Sequence, residues 1–205
     1  LRGYLEFEIE WNEKSYAKSA TKPRANVRTG AVEGEFAFDD VALQGGGVSF
    51  RLRGKVDRVD RGVDERVPDA ERYVAAIDYK SSRYSTPAAG NAKGWDDGIV
   101  LQVPLYAAAL RALRPGDQLA RMEYRIIRGA KAVHQLVLAP MKGDEIQDAP
   151  DAEEKLARAL DAAGERIAQV RRGELPAAYT PSAGCSKYCP ARDICRVPGG
   201  PKDVK

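Results

Sequence analysis

Two segments constrain this chain more than any other part of it: Gly54-Lys55-Val56-Asp57-Arg58-Val59-Asp60 and Ile77-Asp78-Tyr79-Lys80. Each reads as the end of a β-strand finishing in charge. Val48 to Val56 leads into Asp57 and Tyr73 to Ile77 leads into Asp78, both rich in strand formers and bounded by glycine or charged turns. Side chains alternate across a strand, so Asp78 and Lys80 share one face while Ile77 and Tyr79 take the other. The polar stretch from Arg61 to Arg72 is long enough for a hairpin connection, and a hairpin sets Asp57 beside Asp78. Two carboxylates a few ångströms apart repel by roughly 1 kcal/mol in water and about 4 kcal/mol at an effective dielectric of 20. A shared proton or a cation must offset that repulsion. Nothing in the pair marks a proton-sharing dyad, and all-oxygen donors select a hard cation such as Mg²⁺ or Mn²⁺. Beside such a cation the neutral form of Lys80 is favoured, and the amine can position or deprotonate an attacking water. The chemistry that follows is metal-assisted phosphodiester hydrolysis.

A third segment, Leu101-Gln102-Val103-Pro104-Leu105-Tyr106, opens an apolar helix expected from about Asp97 to Arg114. It puts Gln102 and Tyr106 four apart on one face, with Pro104 either in the first turn or at a kink. Ala107 to Leu110 with Leu113 form its buried stripe. Asp57, then Asp78-Tyr79-Lys80, then Gln102 and Tyr106 resemble the PD-(D/E)XK nucleases of the RecB/AddB exonuclease branch. That family reads Gly-x-Ile-Asp-Arg-Ile-Asp, Asp-Tyr-Lys-Thr and Gln-Leu-x-x-Tyr in this order. The departures are Val for Ile, Ser81 for Thr and Val103 for Leu, and the resemblance runs from about Glu33 to Arg196.

The resemblance implies an α/β fold, a restriction-endonuclease-like core with a mixed central β-sheet flanked by helices. It implies a Mg²⁺-dependent deoxyribonuclease, the exonuclease domain of a helicase-nuclease DNA repair and recombination complex. Asp57, Asp78 and the Tyr79 backbone carbonyl would bind the metal, Lys80 would orient the water, and Gln102 and Tyr106 would hold the DNA strand or Lys80. The family often adds an acid from the first strand. Glu33 and Glu35 share a face by alternation, and the family's Glu-x-x-Phe pattern points to Glu33 with Phe36. The upstream metal-binding histidine of many relatives has no counterpart here.

The remaining elements follow from pattern. Residues 1–16 fit either period, and the resemblance favours a helix. The basic loop from Lys18 to Arg28, with Lys18, Lys22, Arg24 and Arg28, is a solvated loop that could also meet phosphates. Ala31 to Phe38 is a first strand and Gln44-Gly45-Gly46-Gly47 the turn into the second. The stretch from Ser81 to Trp95 is a loop placed to flank a substrate strand. Leu119 to Ile127 and Ala132 to Leu138 form a hairpin joined at Gly129, with His134, the single histidine, on its exposed side. Asp151 to Arg172 is a long helix with Leu156, Leu160, Ala163, Ile167 and Val170 inward and an acidic first turn. Gly173 and Pro176 close it.

Cys185, Cys189 and Cys195 are the only cysteines, an odd number clustered late in the chain, which argues against a secreted disulfide framework. They supply three of the four ligands that a zinc or iron-sulfur centre requires. In the family this triplet resembles the staple of a 4Fe-4S cluster whose fourth cysteine lies far upstream. The chain opens on Leu1-Arg2-Gly3 inside what reads as a regular element, so the expectation is a nuclease domain over 1–180 lacking its natural start, a cluster incomplete in this piece, and a cysteine-bearing tail over 181–205. A formal charge of +3 permits a polyanionic partner without demanding one. No apolar run reaches membrane length, and DNA, with a helicase segment or subunit, is the partner expected of a cytoplasmic protein. No Lys-Ser/Thr follows a glycine-rich loop at Walker spacing, which assigns any ATP motor to another segment or subunit. The rival readings are a non-catalytic DNA-binding or scaffold module and a stand-alone exonuclease of CRISPR-adaptation or phage type.

Overall fold

A computed structural model of the 205-residue chain describes residues 2–14, 25–81, 95, 100–128, 131–142 and 144–174. The chain divides into two units, Leu1–Ile167 and Ala168–Lys205. In the second, the described residues are the last turn of a helix and the turn after it, where Arg172 pairs with Glu174 at 2.8 Å. All that follows concerns the first unit unless stated.

Its centre is a long hairpin. Strands β2 (Thr29–Gly45) and β3 (Val48–Gly62) meet at Gly46 and Gly47, whose φ angles of 56° and 72° lie in the left-handed region that a two-residue hairpin turn requires. After β3, residues 63–72 lead back to β4 (Tyr73–Lys80), which runs antiparallel to β3. Helix α2 (Gln102–Leu113) then carries the chain over the sheet to β5 (Gln118–Ile126), which lies parallel to β4, and β6 (Lys131–Val137) turns back against β5. The resulting sheet has the order β2-β3-β4-β5-β6, mixed in direction and flanked by helices, as the restriction-endonuclease-like core implies.

The two faces of the sheet differ in chemistry. On one, Phe38, Val56, Val59, Val74, Ala76, Met122 and Tyr124 pack with Val103, Ala107 and Leu110 of α2 and with Leu156, Ala159 and Ala163 of helix α3 (Pro150–Arg171). The other face buries charge. Arg121, Glu123 and Arg125 are each 1% exposed and Asp60 is 2% exposed, and helix α1 (Arg2–Lys14) reaches them through Glu8. Backbone comes close at the hairpin end, where a Cβ added to Gly45 would stand 2.0 Å from the Leu160 carbonyl oxygen of α3.

The structure corrects the sequence reading in several places. β3 continues to Gly62, so Asp57 lies within a strand rather than at its end. Residues 100 and 101 are not helical, and α2 starts at Gln102 instead of near Asp97, which leaves Pro104 in the first turn where its missing N–H breaks no helical bond. Leu113 and, in the second unit, Val170 are 45% and 56% exposed, because each follows the last buried turn of its helix. The loop expected up to Arg28 contains β1 (Ala25–Asn26), which joins β7 (Pro140–Lys142) and β8 (Glu145–Ile146) in a second small sheet over Val27, Val67, Ala70 and Met141. Strands of two and three residues are too short to show a period. The expectations for 82–94 and for the tail beyond 174, including Cys185, Cys189 and Cys195, lie outside the described residues, as does the His134 side chain.

Candidate active site

A bulge sets the position of Asp57. Opposite β3, Gly34 pairs with Val59 and Phe36 with Val56, so Glu35 alone faces both Asp57 and Arg58. Two residues against one is the signature of a β-bulge, which re-aims side chains locally. Val56 and Val59 thus both enter the core, where strict alternation would have turned one of them out. Asp57 and Arg58 are left between them with separate tasks. The Asp57 Oδ2 accepts a hydrogen bond from the Tyr79 backbone N–H at 2.9 Å. On the other side, Arg58 Nε and Nη2 each donate to Asp60 at 2.6 Å, while Nη1 donates to the Tyr79 hydroxyl at 3.1 Å and to Glu8 at 3.4 Å. Tyr79 is therefore gripped by its backbone from Asp57 and by its ring oxygen from Arg58. Burial opposes the charge on Arg58, but its hydrogen bonds to Asp60 and Tyr79 more than offset it and raise the guanidinium above its ordinary pKa.

The register Arg58 opposite Ile77 brings Asp57 alongside Asp78. Asp78, 8% exposed, accepts a hydrogen bond at Oδ1 from Gln102 Nε2 at 2.8 Å, and its Oδ2 forms an ion pair with Lys80 Nζ. Lys80 Nζ donates in turn to Gln102 Oε1 at 2.9 Å. One amide thus closes a three-membered ring of acid, ammonium and glutamine. Below it lies Tyr124, opposite Asp78 in the parallel register, with Lys80 Nζ 4.8 Å from its ring centroid. Burial first, then the charges of Asp78 and Tyr106, push the Tyr124 phenol up to about 12.

Gly54 explains how α2 comes near enough for Gln102 to reach. A Cβ there would lie 2.8 Å from Phe38 Cζ and 2.9 Å from Tyr106 Cε1. In its absence the Phe38 and Tyr106 rings meet edge to face at 5.5 Å directly over the strand. Tyr106 anchors the helix there, and Gln102, one turn earlier, lies over Asp78 and Lys80.

The sequence pattern of the PD-(D/E)XK nuclease superfamily matches residues 5–196. The chain belongs to that superfamily. No curated protein matches it. As a PD-(D/E)XK nuclease domain it is expected to work with a divalent metal, and the donors present fit one. Asp57 and Asp78 offer carboxylate oxygens only, and the buried Asp78 Oδ2 has an ion pair but no hydrogen bond of its own. Mg²⁺ is commonly held by one or two carboxylates and keeps several waters, so a third acid is not required.

Of the residues the sequence singled out in this PD-(D/E)XK domain, Asp57, Asp78, Lys80 and Gln102 come together, and Tyr106 stands one turn away against Phe38. Glu33 and Glu35 do not join them. Glu33 is the extra residue of a second bulge, before Gly34 at φ 90°, and pairs with Arg61 and, at 2.7 Å, with Arg114. Those arginines, Arg114 foremost, hold its carboxyl below the usual glutamate range. Glu35 is half exposed and pairs with Lys55 at 2.7 Å. Among the described residues no group of three or more histidine, cysteine or acidic side chains is placed to hold a metal ion. Tyr124 was missed because its place under Lys80 depends on a parallel register, for which an isolated strand carries no signal. Arg58 and Asp60 stood within the motif, but only the bulge reveals which face they serve.

Proposed function

We propose that this protein is a Mg²⁺-dependent deoxyribonuclease, the exonuclease domain of a cytoplasmic helicase-nuclease complex of the RecB/AddB type in DNA repair and recombination. The observation that supports it most is the closed contact of Asp78, Lys80 and Gln102 beside Asp57. An acid pair for a cation, a lysine next to it and a glutamine that orients both are the groups phosphodiester hydrolysis needs.

Asp57, Asp78 and the Tyr79 carbonyl hold the metal, which when bound supplies Lewis acidity toward a phosphate oxygen and lowers the pKa of water. Gln102 fixes the head group of Lys80 by accepting its proton in a hydrogen bond. Lys80 orients the water and stabilises the excess negative charge of the phosphorane-like transition state. In that step the water oxygen bonds to phosphorus and gives its proton to solvent, while the bond to the leaving deoxyribose oxygen breaks and that oxygen takes a proton from solvent. Tyr106 packs the helix that carries Gln102 and borders the DNA strand. Cys185, Cys189 and Cys195 we assign as three ligands of a 4Fe-4S cluster. The experiment is digestion of end-labelled single- and double-stranded DNA in Mg²⁺, in Mn²⁺ and in EDTA. Stepwise shortening from an end in either metal and none in EDTA is expected; cleavage that persists in EDTA, or a folded protein inert in both metals, refutes the reading.

A further inference from the structure

One ring in the site has no task in metal binding or substrate contact. Tyr124 lies on β5 and is 1% exposed, out of reach of DNA. Its hydroxyl has no hydrogen-bond partner, so the oxygen positions nothing. What the side chain offers is its face, with the Lys80 ammonium 4.8 Å from the centroid. Among the described residues that ammonium also meets Asp78 Oδ2 and Gln102 Oε1. Both are oxygens for which a cation, a water or a phosphate hydrogen-bond network competes. Among the described residues the π face is the remaining neighbour; it offers no oxygen to a hard cation or to a phosphate network, and it attracts the ammonium through its quadrupole.

We propose that the Tyr124 ring is the platform that keeps the Lys80 head group at Asp78 through turnover, a positioning residue whose aromatic face, not its hydroxyl, is required. This rests on the nuclease reading above. Tyr124→Phe keeps the face and removes only an unbonded oxygen. Tyr124→pentafluorophenylalanine keeps the shape and reverses the quadrupole.

The test compares these two variants with the wild-type protein in steady-state DNA cleavage, with a thermal melt of each. Tyr124→Phe is expected to hold kcat within about twofold, and Tyr124→pentafluorophenylalanine to lower kcat roughly two- to thirtyfold at unchanged KM and unchanged Tm. Equal kcat for the two rings overturns the platform, as does a loss in Tyr124→Phe as large as in the fluorinated variant, which would place the role on the hydroxyl. A wild-type protein that does not cut removes the nuclease reading and this inference together; a wild-type protein that cuts, indifferent to ring electronics, removes the inference alone.

Discussion

Gln102 is the residue on which the site geometry converges, because its amide donates to Asp78 at 2.8 Å and accepts from Lys80 at 2.9 Å. Hydrogen bonds to charged groups contribute roughly 1.5–3 kcal/mol each. Leucine at this position keeps the volume and loses both bonds, so Gln102→Leu is expected to lower kcat about 10- to 100-fold with KM little changed, measured by steady-state cleavage. A KM effect alone would move Gln102 from holding Lys80 to holding DNA. At this scale the sequence was informative for a physical reason. Asp78 and Lys80 lie on a strand whose period fixes their shared face, a hairpin argument set Asp57 beside them, and Gln102 joined them through the resemblance to the PD-(D/E)XK nucleases. At Glu33 a bulge that no period announces turns the acid to Arg61 and Arg114.

At the scale of elements, the hairpin of β2 and β3 depends on backbone approaching backbone. A Cβ on Gly164 of α3 would stand 1.8 Å from the Gly45 carbonyl oxygen, and one on Gly45 would stand 2.0 Å from that of Leu160. Neither obstacle is a flexible side chain, so the helix or the strand must move. Gly45→Ala is therefore expected to destabilise the fold by roughly 1–3 kcal/mol or more, seen as a Tm lower by several degrees. A melt at the wild-type temperature would mean that α3 does not press on the hairpin. The glycines of 44–47 were legible as a turn, since consecutive positive φ angles call for them. The close approach of α3 was not, because it depends on contact between parts of the chain more than a hundred residues apart.

Across the whole molecule, paired carboxylates link stability to pH. Burial would raise the pKa of Asp64, but Arg66 and the backbone N–H groups of Arg28 and Arg66 outweigh it and hold the carboxyl below the usual range. Asp117 is held down in the same way, burial opposing and Arg61 and Arg114 prevailing, and Glu33 by Arg114 and Arg61. A carboxyl depressed in the folded state contributes stability above its unfolded pKa and loses it as pH falls through the folded one. Tm is thus expected to stay level above about pH 5 and to fall steadily below about pH 4, with a smaller fall in Asp64→Asn. An acid profile identical in Asp64→Asn would exclude that carboxyl from the transition. Among the described residues no helix is long and apolar enough to cross a membrane. The mixed sheet was readable from the order of the elements, whereas the buried charges under α1 were not, since arginine and glutamate in a strand ordinarily face water.

We propose Asp78 and Lys80 as the working groups of metal-dependent phosphodiester hydrolysis. The most direct measurement is single-turnover cleavage of end-labelled DNA in Mg²⁺ by the wild-type protein, Asp78→Asn and Lys80→Met, with DNA affinity and a thermal melt of each. For this assignment we expect wild-type cleavage, a loss of about 10²- to 10³-fold or more in both variants, and binding and melting close to wild type. Cleavage by either variant at the wild-type rate would contradict it.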